Sequence, residues 1–353
     1  MAINLATKYS DKVQERFYRD SVTQSAFSKD LDMEFQGVKT VIVYEADTAP
    51  LNDYTRSGSN RYGTPSELGD TTQEFTMEVD KGFTYTIDKG NAKEQFNVKQ
   101  AGTSLKRQMR EVVTPFIDKY RMNKWAQKAG FVKGVAAPTK TTIAEMIMDC
   151  SAELDNALVP ADNREIYFDA SYFKYLKLCP EYVALESTGE KALAKGVVGE
   201  FDGMKVKKIP HSLMPDDCYF IIIHKGSCIS PMKLQDYKIH TDPPGISGDL
   251  VEGRVIFDAF VKGTKAKGIL AAVASAKVAA TPTVSFASHV ATMACTTSGA
   301  VIRYTTDGTD PRYSTTAQTY NASAKPTVEA GTTVKMVAEA AGYYPAIGEG
   351  TDT

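Results

Sequence analysis

What this chain lacks narrows its function before anything it contains does. It has no GxGxxG, no GxxxxGK[ST], no GxSxG and no HExxH. The phosphate-cradling loops, nucleophile elbows and helical zinc pairs of common enzyme classes are therefore missing. Histidine is scarce, and His211, His224, His240 and His289 have no second His, Cys or carboxylate at metal-ligand spacing. The five cysteines, Cys150, Cys179, Cys218, Cys228 and Cys295, form no CxxC and are odd in number. They are expected to be free, mostly buried thiols of a reducing compartment. There is almost no net charge, −2 overall, and so no electrostatic signature of a nucleic-acid binder. No apolar run approaches the roughly 18 residues of a membrane span, and the N-terminus has no apolar signal region. The expectation is a soluble protein that stays in the cytoplasm where it is made, with no cofactor, no metal and no catalytic residues.

What is present divides into a large body and a small tail. Within 353 residues, 42% hydrophobic and 24% charged, two or three packed domains are expected. Residues 1–30 are polar, with one weak helical face at Tyr9, Val13 and Phe17, and read as an arm. A β-branched run at 37–46 reads as a strand. Residues 47–72, rich in Thr, Pro, Asn, Gly and Ser, form a loop far longer than the usual 4–6 or so residues, which points to function or a partner. Next, Phe75, Met77 and Val79, then Phe83, Tyr85 and Ile87, alternate with polar residues about Asp80-Lys81-Gly82. This predicts a β-hairpin with one apolar face, too small to stand alone. A neighbouring subunit is the expected cover for those six side chains.

Leu105, Met109, Val112, Phe116 and Tyr120 recur at helical spacing, predicting a long helix over about 98–130 kinked at Pro115. A second helix over 142–158 starts with a capping box at Thr142 and Glu145. The run REIYFDASYFKYLKL reads as strand, Asp169 cap and helix, and EFDGMKVKKIP as a hairpin turn and strand. YFIIIH at 219–224 reads as a central strand buried on both faces, and 251–270 as a long strand broken near Gly263. Residues 276–281 read as a flexible small-residue linker. From 281 onward the composition changes to 16 Thr and 12 Ala in 73 residues, with short β-runs and turns that predict an all-β sandwich over 282–353. In TDGTDP, Asp307 and Asp310 are read as turn formers rather than cation ligands.

The order of arm, strand, exposed loop, long kinked helix and mixed α/β region resembles the major capsid proteins of tailed phages, the Hong Kong 97-like fold. The segments NREIYFDASYFKYLK, GVVGEFDGMKVKKIPHSLMPDDCYFIIIHKGSCISP and DLVEGRVIFDAFVKGTKAKGI carry the likeness. The resemblance implies an α+β body over 1–275, with N-arm 1–36, E-loop about 45–95, spine helix about 98–130, and axial and peripheral regions over 140–275. It implies a virion protein, assembled with itself into hexamers and pentamers of an icosahedral head. Portal and scaffolding proteins, and DNA held by non-specific contacts, are the implied partners. Relatives that crosslink covalently join an E-loop Lys to a neighbour's Asn. Lys81 could supply the amine, but residues 164–275 contain no Asn and only Gln235 as an amide, so a non-covalent lattice is expected.

The tail string Tyr304-Thr-Thr-Asp307-Gly308-Thr-Asp310-Pro311 resembles the C-terminal domain of chitobiase and β-hexosaminidase, an immunoglobulin-like accessory module without the catalytic acids. It implies a surface decoration, dispensable for assembly, in which Tyr304, Tyr313, Tyr320, Tyr343 or Tyr344 is a candidate ring for a surface glycan. Alternatives are an encapsulin-like compartment shell, a glycan-binding adhesin, or an enzyme carrying an accessory carbohydrate module. Shells or hexamers on microscopy, as against a clean monomer, separate the two shell readings, phage head and encapsulin-like compartment, from the adhesin and the enzyme.

Overall fold

The computed structural model of the protein describes residues 21–27, 33–36, 39–46, 49, 51–65, 67–68, 70–90, 101–179 and 197–353. The helical face expected at Tyr9, Val13 and Phe17, and the first residues of the spine segment, lie outside them. The chain opens with strands β1 (Met33–Gln36), β2 (Thr40–Ala46) and β3 (Asp70–Thr76), an antiparallel sheet in the order β1-β2-β3. β4 (Val79–Asp88) follows. Helix α1 (Ala101–Gln108), a π turn (Met109–Val113) and α2 (Thr114–Gln127) then form one long helical rod. Pro115 has no N–H, and its ring crowds the carbonyl one turn back. The rod meets this with a π segment that ends two residues before the proline.

The heart of the body is a six-stranded mixed sheet in the order β5-β14-β9-β6-β8-β7. Its strands are β5 (Phe131–Val135), β6 (Arg164–Asp169), β7 (Val197–Phe201), β8 (Met204–Ile209), β9 (Cys218–His224) and β14 (Ile269–Ala274). Successive side chains of a strand point to opposite faces. Ile221 and Ile223 of β9 therefore pack with Met122, Trp125 and Ala126 of α2, while Phe220 and Ile222 pack on the other face with Ile143, Ile147 and Leu154 of α3 (Ile143–Asn156) and with Phe173 and Leu176 of α4 (Phe173–Lys177). This two-sided covering is why YFIIIH is apolar without alternation. Each such side chain contributes about 1.5–3 kcal/mol on burial. Asp202 and Gly203 make the β7–β8 turn with φ of 50° and 71°, the left-handed pair that a two-residue hairpin of this twist requires.

Several local expectations are corrected. The expected hairpin at Asp80-Lys81-Gly82 is an unbroken strand. β4 pairs along its whole length with β12 (Gly248–Phe257), from Gly248↔Asp88 to Phe257↔Val79, and β12 also pairs with β11 (Met232–Thr241). Positions 79, 83, 85 and 87 share one parity, so the alternation fits one strand as well as two, and β12 supplies the partner strand. The chain turns instead at Met77 and Glu78. There Lys39 O accepts from the Met77 N–H at 2.8 Å, and Asp258 Oδ2 accepts from the Glu78 N–H at 2.8 Å.

The helical stripe is rotated as well. Val112 and Phe116 are exposed, whereas Ile117, Arg121, Met122, Trp125 and Ala126 are buried. The π turn adds a residue to one turn and shifts the phase of every later position on the rod. Thr142 precedes α3, but its hydroxyl is turned back to Thr139, accepting from the Thr139 N–H at 3.1 Å, so the capping box does not form. The closing strand is interrupted twice, with β10 (Cys228–Ile229) pairing β13 (Phe260–Val261) and a 3-10 turn at Gly263–Gly268 before β14. Gly130 follows the end of α2 because a Cβ there would lie 2.2 Å from Ala266 O.

The tail forms a small sandwich. β15 (Thr283–Ala287) pairs with β16 (Val290–Ala294), and the second sheet has the order β18-β17-β19-β20, from β17 (Val301–Thr305), β18 (Gln318–Thr319), β19 (Thr333–Glu339) and β20 (Ala346–Thr351). Ala291, Met293, Ile302, Tyr304, Val334 and Met336 fill it. The expected linker is hydrogen-bonded and packed rather than free of contacts. Ser275–Lys277 is a 3-10 turn, Ala279 is buried, and the Ala279 N–H donates to Tyr344 O at 2.9 Å.

Candidate functional site

The projecting part of the molecule is the β2–β3 ribbon. Its last pair is Ala46↔Asp70, and beyond it the described residues 49, 51–65, 67 and 68 make its tip. The backbone turns there with φ positive at Gly58, Asn60 and Gly63. The Thr55 N–H donates to Arg61 O at 3.0 Å, the Gly63 N–H to Asn60 O at 2.9 Å, and Arg61 Nε to Gly58 O at 3.3 Å. Tyr54 and Tyr62 meet edge to face with ring centroids 5.0 Å apart. The tip thus holds a shape of its own, yet its large apolar side chains are left in solvent: Leu51 and Leu68 are exposed, Tyr54 is exposed, and Tyr62 keeps 82% of its surface. The exposed Tyr54–Tyr62 pair on a self-braced loop, with Leu51 and Leu68 exposed on the same loop, marks it as the candidate contact surface.

The six side chains expected to meet a neighbour lie elsewhere. Met77, 1% exposed, packs with Val41, Val43, Ile229 and Ile256, and Phe75 stacks on Phe260 at 4.8 Å. Val79 is buried with Ile117, Val255 and Phe257. Ile87 is buried with Ala101 and Val251, with Phe83, Tyr85 and Leu105 packed around it. Val79, Phe83, Tyr85 and Ile87 form the floor on which the helical rod lies, while Phe75 and Met77 pack between β2, β10, β12 and β13. Cover for these side chains comes from within the subunit, from β12 together with α1, α2, β2, β10 and β13.

Sequence reasoning missed the anchoring of residues 21–27. Asp118, buried on α2, accepts from Ser21 Oγ at 2.7 Å, from the Val22 N–H at 2.9 Å and from Thr23 Oγ1 at 2.6 Å. Arg121, one turn on, donates to Thr23 Oγ1 at 3.1 Å and to Ser230 Oγ at 2.8 Å. Burial lowers the Arg121 pKa to about 10, against the pull of Asp118. Ala26 and Phe27 then enter the core beside Trp125. An Asp and an Arg one turn apart on the helix face that also carries Met122 and Trp125 are the visible signal, since charges taken into a core need partners.

In the tail, Tyr304 is core, with its hydroxyl donating to Gln318 Oε1 at 2.9 Å. Asp307 accepts from Thr309 and Thr316 hydroxyls, which hold its carboxyl down at about 2, and Gly308 has φ of 77°. Asp307 is the turn former expected of it. Pro311 is buried. Tyr313 and Tyr344 are not sugar-facing: both pack against the body's core. Tyr320 leans on the sandwich interior, and Tyr343, 38% exposed, is the open ring of the set. Among the described residues, no group of three or more His, Cys, Asp or Glu is placed to hold a metal, and no helix is long and apolar enough to cross a membrane.

Residues 279–346 match the family described as the chitobiase/beta-hexosaminidase C-terminal domain. The body is similar to solved phage structures. One, from Mycobacterium phage Che8, is 15% identical with a TM-score of 0.54, over 77% of this chain and 98% of that one. The capsid of Cyanophage P-SCSP1u is 13% identical with a TM-score of 0.58, over 76% and 92%. The acid-stable capsid of Helicobacter pylori bacteriophage KHP30 is 11% identical with a TM-score of 0.54, over 76% and 94%. No curated protein matches the chain. At these identities the likeness establishes the fold: the body is folded as phage capsid subunits are, with an immunoglobulin-like module added at its C-terminal end.

Proposed function

We propose, from a capsid-subunit fold joined to a chitobiase-type module, that this protein is a structural shell subunit which assembles with copies of itself into a phage head. The observation that carries the reading, beyond the fold, is the β2–β3 ribbon with its apolar side chains held out from the subunit. A monomer gains nothing from exposing Leu51, Tyr54, Tyr62 and Leu68 together. A lattice buries them at every repeat, at about 1.5–3 kcal/mol for each large side chain. Enclosure of DNA by non-specific contacts, engagement of portal and scaffolding proteins, and residence in the virion belong to the same reading. A glycan contact of the module, if one is made, falls to Tyr343 rather than to Tyr313 or Tyr344.

The test is assembly of the expressed protein, followed by light scattering and negative-stain microscopy. Shells or capsomers are expected, and a monomer at all concentrations and in all buffers tried would overturn the proposal. Tyr62→Asp changes a side chain with no role in the core. The variant subunit should stay folded by circular dichroism and require at least about tenfold more protein to assemble, the factor that 1.4 kcal/mol supplies.

A further inference from the structure

The tail module turns one surface toward the body, and that surface is specific. After β17 the chain runs through Asp310-Pro311-Arg312-Tyr313. Arg312 is buried, and its Nη1 donates to Ala129 O while its Nη2 donates to Gly130 O at 3.0 Å. The Tyr313 hydroxyl donates to Lys128 O. Three consecutive carbonyls, 128 to 130, are thus each taken by a side chain of the module. They sit just past Gln127, where α2 ends, a place where backbone acceptors run out of helical donors and the negative end of the helix dipole lies.

The guanidinium is held for this task. Asp310 Oδ1 accepts from Arg312 Nε at 3.1 Å and from the Arg312 N–H at 2.9 Å, and Asp310 Oδ2 accepts from Nη2 at 2.7 Å. A planar fork with one carboxylate behind it and two carbonyls before it is a geometry that Arg satisfies and Lys does not. Two further contacts close the surface. The Tyr344 hydroxyl donates to Asp216 O at 2.8 Å, while its backbone N–H donates to Lys277 O at 2.7 Å. On the body, Gly263 lets Tyr313 approach so closely that an added Cβ would stand 2.7 Å from the tyrosine's own Cβ.

We infer that Arg312 and Tyr313 form a docking site for the C-terminal end of helix α2 of the same chain. The module is then a clasp that completes the subunit's core rather than a tethered decoration. Arg312 binds, Asp310 positions it, and Tyr344 ties down the connecting segment at 277–279. This inference concerns the single subunit and stands or falls independently of whether the subunit builds a shell.

The test is hydrogen exchange and calorimetry on the full chain, comparing wild type with Arg312→Ala and with Tyr313→Phe, a variant that removes only one hydroxyl. Wild type should unfold in one transition. In Arg312→Ala the amides of Ala279 and Tyr344 should exchange at least about tenfold faster, with those of Val334 to Ala338 in the module's core strand unchanged. Tyr313→Phe should give a severalfold acceleration at the same two amides. Separate transitions for body and module in wild type would overturn the clasp. So would unchanged exchange at Ala279 and Tyr344 in both variants, or an equal acceleration throughout the core strand.

Discussion

Single residues set charge in this molecule through one recurring device, a buried or half-buried carboxylate that collects donors. Asp118 gathers three from residues 21–23, and Asp310 holds Arg312 in place. Asp169 is buried at the end of β6, where it accepts from the Ser171 N–H at 2.8 Å and lies 2.6 Å from His211 Nδ1. The sequence pattern suggests Asp169 as a helix cap; it instead closes the turn ahead of α4, whose first flanking residue is Tyr172. His211 is 71% exposed at its side chain, and its hydrogen bond to Asp169, then the charge of that carboxylate, raise its pKa above the usual 6.5. A raised folded-state pKa stabilises the protein below the unfolded value, and that contribution disappears as pH climbs through the folded value. The stability gap between wild type and His211→Gln should therefore be largest below about pH 6, and close on the alkaline side. Urea unfolding from about pH 5 to about pH 9, a range that brackets the histidine titration, reads it directly, and a gap that widened with pH would contradict the assignment. The cysteines add no comparable device: Cys150, Cys179, Cys218 and Cys228 are buried, and burial pushes the Cys150 thiol up to about 12.

Among the elements, β4 shows how a strand can be read as a hairpin. Glycine in a run of alternating residues signals a turn, but Gly82 instead lies opposite Arg254, and Asp80 meets the Arg254 guanidinium at 2.6 Å across the strands. Only the presence of β12, far later in the chain at Gly248–Phe257, makes the extended form the better one. Substituting Phe83 or Tyr85 by Asp is thus expected to loosen the packing of α1 on the sheet, a defect of the subunit, in contrast to Tyr62→Asp at the ribbon tip. Lys81 is exposed on β4 rather than at a turn. With no Asn between 164 and 275, a Lys–Asn crosslink of that kind has no acceptor there. Assembled particles, boiled and reduced, are expected to run as one band at the chain mass of 38.5 kDa; a ladder of multimers would show that a bond forms by another route.

For the whole molecule, the docked module changes what truncation should do. A tethered decoration could be removed at Ala276 without cost. Here removal strips the donors from carbonyls 128–130 and uncovers the core where Tyr344 packs. The truncated chain is expected to melt several degrees below the full one, since the loss of even about 1 kcal/mol moves the midpoint of a domain this size by a few degrees. A reconstruction of assembled particles should also show the module as sharply as the body, in one orientation on every subunit. Density smeared over a range of positions would be the signature of a free linker and would count against the docked arrangement.

By itself the sequence determined what depends on neighbours along the chain or on one repeating period. The apolar stretch at 219–224 specified a strand covered on both faces, and Asp202-Gly203 specified a tight turn. Pro115 marked the irregular stretch of the long helix, which the rod takes up as a π segment without breaking, and the Thr-rich tail with Tyr304 and Asp307-Gly308 declared a β module. Residues 47–72, rich in Thr, Pro, Asn, Gly and Ser, announced an exposed loop, because so little apolar content cannot build a core of its own; the last three of them belong to β3. The tertiary structure decided what depends on a partner distant in sequence. It chose one strand over a hairpin at 79–88, because β12 arrives to pair it. It turned the helix face toward Arg121 and Trp125, because a π turn shifted the phase. It fixed the module to the body through Arg312, because the carbonyls that Arg312 satisfies lie 182 and 183 residues away, and no local pattern records an acceptor that far off.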